Sequence, residues 1–192
     1  ITGGTGLLGS ALLRTAPAGW AVRATYCRTP PPVAWQDRFV QLDGRDAPAV
    51  ACTLEAWRPT AVVHAASIGA VDLAERDPAL VSDVNVRGTQ AIGRACERVG
   101  ASLVFISSNA VFDGRQSPYA EEAPQHAVNR YGALKIAAET WLQRECAAPL
   151  TIIRPILMYG WPLPGGRDNA VTRWLAQLEL GRPVEVDPAL HS

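Results

Sequence analysis

Thr2-Gly3-Gly4-Thr5-Gly6-Leu7-Leu8-Gly9 stands at the start of the chain and decides its fold. Gly3, Gly6 and Gly9 recur every third residue, and a helix-like stretch, residues 7–15, follows at once. Such a turn needs glycine for three separate reasons. One position makes a tight turn, one lets a pyrophosphate approach the backbone, and one lets the helix lie close on the sheet. The first helical turn then offers amides without intrahelical partners, which suit phosphate oxygens. Gly3, Thr5, Gly6, Leu7, Leu8 and Gly9 are therefore candidate nucleotide-binding residues.

Downstream, short continuous apolar runs occupy residues 20–26, 38–42, 61–66, 102–107 and 150–153. Runs of this length fit strands buried on both faces of a parallel sheet. Helix candidates lie between them at 47–57, 78–99, 129–146 and 169–180. Asp77 reads as an N-cap with Pro78 at the first helical position, and Gly100 falls just past the helix end. The alternation predicts an α/β fold, a Rossmann-like doubly wound parallel sheet, truncated at both ends. The first strand is expected upstream of Ile1, and residues 183–187 read as a further strand and its loop. Residues 1–160 are expected to form a nucleotide-binding domain and residues 161–192 to begin a substrate-binding region. The loop over residues 112–128 lies between a strand end and a helix, where sheets of this kind bind ligands.

The chain has 192 residues, 18 basic and 18 acidic, and 48% apolar residues. That length is enough for a single buried core. A net charge of zero argues against nucleic acid or an anionic membrane as an electrostatic partner. No apolar run is long enough to span a bilayer. Cys27, Cys52, Cys96 and Cys146 are scattered, and His64, His126 and His191 form no ligand pair, so no metal site is expected. This cysteine usage suits a reducing compartment, the cytoplasm. His64 ends a buried strand and reads as a satisfied core or cofactor-adjacent residue, Asp113 as a turn residue, and Trp141 as core.

The end of the second strand is where a Rossmann sheet reads the adenosine ribose. A carboxylate there favours NAD, and an arginine favours the 2′-phosphate of NADP. Tyr26-Cys27-Arg28 carries no acid, so Arg28 points to NADP(H). Asp43, at the end of the third run, is a candidate acceptor for the adenine amino group. Tyr131 and Lys135 are spaced i, i+4 on a helix and so share a face. An ammonium beside the phenol is expected to draw the Tyr131 pKa toward neutrality, which would let it exchange a proton. Ser107-Ser108-Asn109 closes the strand before the long loop, where a hydroxyl can polarise a substrate carbonyl.

Taken in order, these pieces resemble the extended short-chain dehydrogenase/reductase superfamily. The resemblance is carried by residues 2–9, His64-Ala65-Ala66, Asn85-Val86-Arg87-Gly88-Thr89, Ser107-Ser108, residues 131–135, Arg154-Pro155 and Tyr159-Gly160. Within it the chain is most similar to the dTDP-4-dehydrorhamnose reductase branch, through residues 70–75, Val111-Phe112-Asp113-Gly114, Pro118-Tyr119 and Glu121. The resemblance implies a catalytic set of Ser108, Tyr131 and Lys135, with Lys135 also holding the nicotinamide ribose. It places Ala65 and Ala66 against the cofactor, Asn85 as a brace of the central strands, and Pro155 beside the nicotinamide. It implies a nucleotide-sugar substrate and allows a homodimer.

The branch commonly reads Ser-Thr-Asp-Tyr where this chain has Ser107-Ser108-Asn109-Ala110, and its tryptophan aligns with Leu157. Ser108, Asn109 and Leu157 are thus candidate substrate contacts, and the sugar is left open. Two alternatives accompany the reductase reading. One is a non-catalytic NADP-binding regulatory subunit like that of methionine adenosyltransferase. The other is a nucleotide-sugar epimerase or dehydratase.

Overall fold

Strands β1 (Ala24–Tyr26) and β2 (Phe39–Gln41) pair in parallel, as do β3 (Ala61–His64), β4 (Ser102–Ile106) and β5 (Leu150–Ile153), in the order β3-β4-β5. The structure is a computed structural model that describes residues 1–184. The opening residues join the two sets. Thr2 N donates to Val63 O at 2.9 Å, while Thr25 N donates to Ile1 O at 2.9 Å and Gly4 N to Thr25 O at 2.8 Å. Ile1–Gly4 therefore lies between β1 and β3, and the sheet runs β2-β1-(1–4)-β3-β4-β5. The expected Rossmann-like α/β architecture is what the chain adopts, with the strand direction reversing its spread at the opening glycine turn.

Helices α1 (Leu7–Arg14), α2 (Ala47–Trp57), α3 (Val71–Arg76), α4 (Pro78–Ser82), α5 (Gly88–Val99), α6 (Arg130–Glu145) and α7 (Ala170–Glu179) connect and cover the strands. Their ends follow local chemistry. Asp46, Asp77, Asn129 and Asn169 each accept an amide hydrogen bond at an N-terminus, and Gly100 takes φ +71° just past α5. The main core lies between the sheet and α2, α5 and α6, around Val50, Leu54, Ile92, Leu103, Phe105 and Leu142. Trp141 packs against this core, and Arg94 lies 5.6 Å from its ring centroid.

Four expectations need correction. The run at 20–26 yields only three strand residues, because β2 is in register with Ala24–Tyr26 alone, and Trp20 is 70% exposed. The single helix over 78–99 is interrupted by a π-helical turn at Asp83–Arg87. There the Asn85 side chain turns to the loop after β3, accepting from Ile68 N at 2.8 Å and donating to Ile68 O at 3.0 Å. Asn85 thus braces the loop after β3 rather than the strands themselves. Helix α3 is additional to the expected set. The strand expected at 183–187 falls largely outside the described residues. No helix of the described residues is long and apolar enough to cross a membrane.

His64 shows how the sheet centre is satisfied. Ala66 N donates to Thr2 Oγ1 at 3.2 Å, Thr2 Oγ1 lies 2.6 Å from His64 Nδ1, and His64 Nε2 lies 3.0 Å from Thr89 Oγ1. Thr89 Oγ1 donates its one proton to Asn85 O at 2.7 Å. It must therefore accept from His64 Nε2, which leaves Nδ1 to accept from Thr2. Burial, then the charge of Lys135, pushes the imidazole pKa down from 6.5 to about 3, so His64 is neutral. Between those two values the unfolded chain binds a proton that the folded chain does not. The folded state accordingly loses stability as pH falls from 6.5 toward 3. In urea unfolding at pH 7.0 and 4.5, His64→Gln is expected to narrow the stability difference between the two conditions.

Candidate functional site

The glycine turn is built by close approach. Gly3 takes φ +67°, and a Cβ there would sit 2.8 Å from the Ala66 backbone. A Cβ on Gly9 would run into the backbone of Gly3 and Gly4, so Gly9 sets how closely α1 lies on the turn. Gly4 is closed off in another direction, against Ala24 and Phe39. Gly6 is exposed, caps α1 without a side-chain acceptor, and leaves the helix's first amides available. That combination of a glycine cradle and free amides fits a pyrophosphate.

A cleft of about 290 Å³ opens from this turn across the strand ends. Gly3, Thr5 and Gly6 form one wall, Ala65, Ala66 and Ser67 another, and Arg28 and Asp43 mark the far end. Arg45, absent from the expectations, sits beside Asp43. Its Nε lies 3.0 Å from both carboxylate oxygens and its Nη2 2.5 Å from Oδ2. The Arg45 hydrogen bond holds Asp43 below the usual carboxylate range. The acceptor expected to face an adenine amino group is thus engaged by a neighbour. Leu7, Leu8, Gly9, Tyr131, Lys135 and Pro155 do not line this cleft. Leu7 and Leu8 follow the turn as the first residues of α1, and Gly9 acts through packing. A larger apolar cavity, about 500 Å³, lies at the opposite strand ends between Trp57, Trp20 and Val62, away from all these groups.

Helix α6 brings Tyr131 and Lys135 to one face. Tyr131 is half-buried, and burial pushes its phenol pKa up, while the hydroxyls of Ser108 and Ser67 act the other way. This corrects the expected fall toward neutrality. Lys135, the one lysine of the chain, is only 2% exposed. Its ammonium donates to Ile106 O at 3.0 Å and lies 5.0 Å from the Phe105 ring centroid and 5.9 Å from that of Tyr131. Burial pulls its pKa down from 10.5 to about 8, against the charge of Glu139.

Ser108 caps a short 3₁₀ turn (Asn109–Val111), its hydroxyl accepting from Ala110 N at 3.1 Å. Asn109 N donates to Pro155 O at 3.0 Å, which ties the end of β4 to the chain leaving β5. Asn109 and Leu157 are exposed on this outer side. The structure therefore brings Ser108, Tyr131 and Lys135 together and places Ser67, a residue the sequence reading missed, between Tyr131 and the cleft. Gly132 was also missed. A Cβ on it would collide with the Ala110 carbonyl, so only glycine lets α6 approach the turn that presents Ser108. Its position directly after Tyr131 was the available signal.

Beneath this face lies Glu139, fully buried. It pairs with Arg154 Nη2 at 2.7 Å, accepts from Gln125 Nε2 at 2.5 Å, and accepts from the Ser107 hydroxyl. Asp113 behaves as the expected turn residue, accepting from Tyr119 Oη and from Arg115 N.

The parallel sheet, glycine cradle and Tyr131/Lys135 helix define a Rossmann-fold protein of the extended short-chain dehydrogenase/reductase superfamily. The chain belongs to the RmlD substrate binding domain family, whose model matches residues 1–188. It is 34% identical over 163 residues to methionine adenosyltransferase 2 subunit beta of Xenopus laevis, covering 83% of this chain and 46% of that protein. It is 37% identical over 120 residues to dTDP-4-dehydrorhamnose reductase of Streptomyces griseus, covering 62% of this chain and 40% of that protein. The chain thus spans about half the length of the curated relatives it matches. The solved structure of dTDP-4-dehydrorhamnose reductase from Bacillus anthracis in complex with NADP superposes with a TM-score of 0.79 at 27% identity, over 95% of this chain and 59% of that one.

Gly132→Ala tests the helix approach. It is expected to lower unfolding stability by about 1–3 kcal/mol, the usual cost of overpacking a tight contact. Guanidinium denaturation measures this, and an unchanged midpoint would contradict the close packing of α6 on the Ser108 turn.

Proposed function

We propose that this chain carries the cofactor half of an NADP(H)-dependent oxidoreductase that reduces the keto group of a nucleotide-activated sugar. The supporting observation is the Tyr131 phenol flanked by the hydroxyls of Ser108 and Ser67, with Lys135 on the same helix face and the nucleotide cleft alongside. NADPH, when bound, supplies the hydride. The protein's own groups do the rest. The turn from Gly3 to Gly6, with the amides of Leu7 and Leu8, receives the pyrophosphate, and Arg28 receives the 2′-phosphate. Ala65 and Ala66 wall the cleft, and Pro155 lies on the nicotinamide side. Lys135 orients the nicotinamide ribose.

Ser108 donates a hydrogen bond to the sugar carbonyl oxygen, and Tyr131 gives that oxygen a proton as it gains charge. A phenol whose pKa is raised by burial stays protonated at neutral pH, which suits a proton donor in the reducing direction. Asn109 and Leu157 stand where the sugar would be distinguished. Residues 161–192 begin the substrate-binding region in this reading.

A second reading has its own support. The relative named methionine adenosyltransferase 2 subunit beta matches more of this chain than the Streptomyces griseus reductase does. On that reading the protein is a dinucleotide-binding subunit that acts through a partner enzyme.

NADPH oxidation by the full-length protein, assayed against a panel of nucleotide 4-keto sugars, separates the two. Turnover is expected with one sugar class, and Tyr131→Phe is expected to cut kcat by about 100-fold or more, the usual weight of a general acid. NADPH binding without turnover on any sugar, unchanged in Tyr131→Phe, would favour the subunit reading. Separately, Arg28→Ala is expected to weaken NADPH binding by about 10-fold or more while leaving NADH binding nearly unchanged, as loss of one charge-assisted phosphate contact requires. Isothermal titration with both nucleotides measures this, and equal losses would remove Arg28 from the phosphate site.

A further inference from the structure

Glu139 lies outside the catalytic set, yet it touches every segment that carries that set. It is one helical turn beyond Lys135 on α6, at 0% exposure. Its carboxylate accepts from Ser107, the neighbour of Ser108 at the end of β4. It accepts from Arg154, the first residue after β5, through Nε at 3.1 and 3.2 Å and Nη2 at 2.7 Å. It also accepts from Gln125 in the loop before α6. Arg154 in turn donates to Glu121 O at 2.8 Å and lies 5.4 Å from the Phe112 ring centroid, so the same clasp reaches the long loop. A carboxylate this deeply buried is tolerated only with such saturation.

We propose that Glu139 is a positioning residue of the catalytic face: with Arg154 as counter-ion it fixes the ends of β4 and β5 against α6 and sets the electrostatic surroundings of Lys135. This rests on the assignment of Lys135 to that face under the proposed function. The other charges near Lys135 leave Glu139 as its effective partner. On β3, His64 is neutral. Of the elements packed on α6, the π turn carries Arg87, which pairs with Asp83 at 3.3 Å, and α3 carries Glu75, which pairs with Arg130 at 3.1 Å, together with Asp72 and Arg76, both exposed. On α5, Arg94 stacks over Trp141, Arg98 pairs with Glu55 at 3.1 Å, and Glu97 accepts from Ala147 N. Glu139 is the group whose charge holds Lys135 up against the effect of burial.

The pair predicts shifts of opposite sign. Glu139→Gln removes the anion and leaves the Arg154 cation, so Lys135 titrates below about 8. Arg154→Leu removes the competing cation while Ser107 and Gln125 still donate to the carboxylate, so Glu139 keeps its charge and Lys135 titrates above that value. A role in packing alone would shift Lys135 in one direction or not at all. Nitrogen-15 NMR of lysine-labelled full-length protein follows the titration, with the Lys135 signal assigned by its loss in Lys135→Met. No substrate is needed, so the result is independent of whether a sugar is turned over. Opposite shifts of about 1 unit, the scale of one nearby charge, are the expected result. If Glu139→Gln does not fold, an upward shift in Arg154→Leu decides the question. An unmoved Lys135 titration in whichever variant folds would overturn the proposal. Should turnover be found, kcat is expected to fall about 10-fold in Glu139→Gln with KM for NADPH little changed, the signature of a misplaced proton relay.

Discussion

Gly3 presses against the backbone of Ala66, and this close approach organises the molecule. The opening residues enter the sheet between β1 and β3, bonded to Thr25 on one side and Val63 on the other. The chain then turns at a left-handed glycine and leaves as α1. Because Gly9 also admits no side chain, α1 comes down directly on the turn, with no side-chain cap on its first amides. The walls of the cleft, Ala65 and Ala66, are small for the same reason. The Ala65 and Ala66 backbone is what a side chain on Gly3 would meet, so the turn and the strand end share one narrow space beside the cleft.

Buried polar groups then hold the strand ends at fixed heights. Thr2, His64, Thr89 and Asn85 form a directed hydrogen-bond chain from the glycine turn to the π turn in the long helical segment. The π turn lets Asn85 reach the loop after β3 and so places Ser67. On the other side of the site, Glu139 and Arg154 clasp the ends of β4 and β5. Desolvating such groups is costly, and replacing a buried ion pair by apolar residues is often neutral or better for stability. Here they order several loops around one face.

The two sides of the site also differ in composition. The cleft is lined by backbone, glycine and arginine, groups that suit a phosphorylated ligand. The outer rim uses Asn109 and Leu157, positions where the dTDP-4-dehydrorhamnose reductase branch commonly has an acid and a tryptophan. The chain keeps the glycine turn and departs from that branch at these outer positions.

Much of this was legible in the sequence. The glycine spacing, the caps at Asp77 and Asn129, and the continuous apolar strands are local signals, because turn geometry, amide capping and double-sided burial act over a few neighbouring residues. The shared helix of Tyr131 and Lys135 was legible through their spacing, and the place of Arg28 at the cleft through its strand end. The tertiary structure alone decided the rest. Arg45 occupying Asp43, Ser67 meeting Tyr131, Gly132 passing Ala110, and Glu139 clasping Ser107 and Arg154 join residues whose meeting no local pattern specifies. The direction of the Tyr131 shift was decided there too. The sequence supplied a nearby lysine, but burial of the phenol, a property of the packed fold, outweighs it.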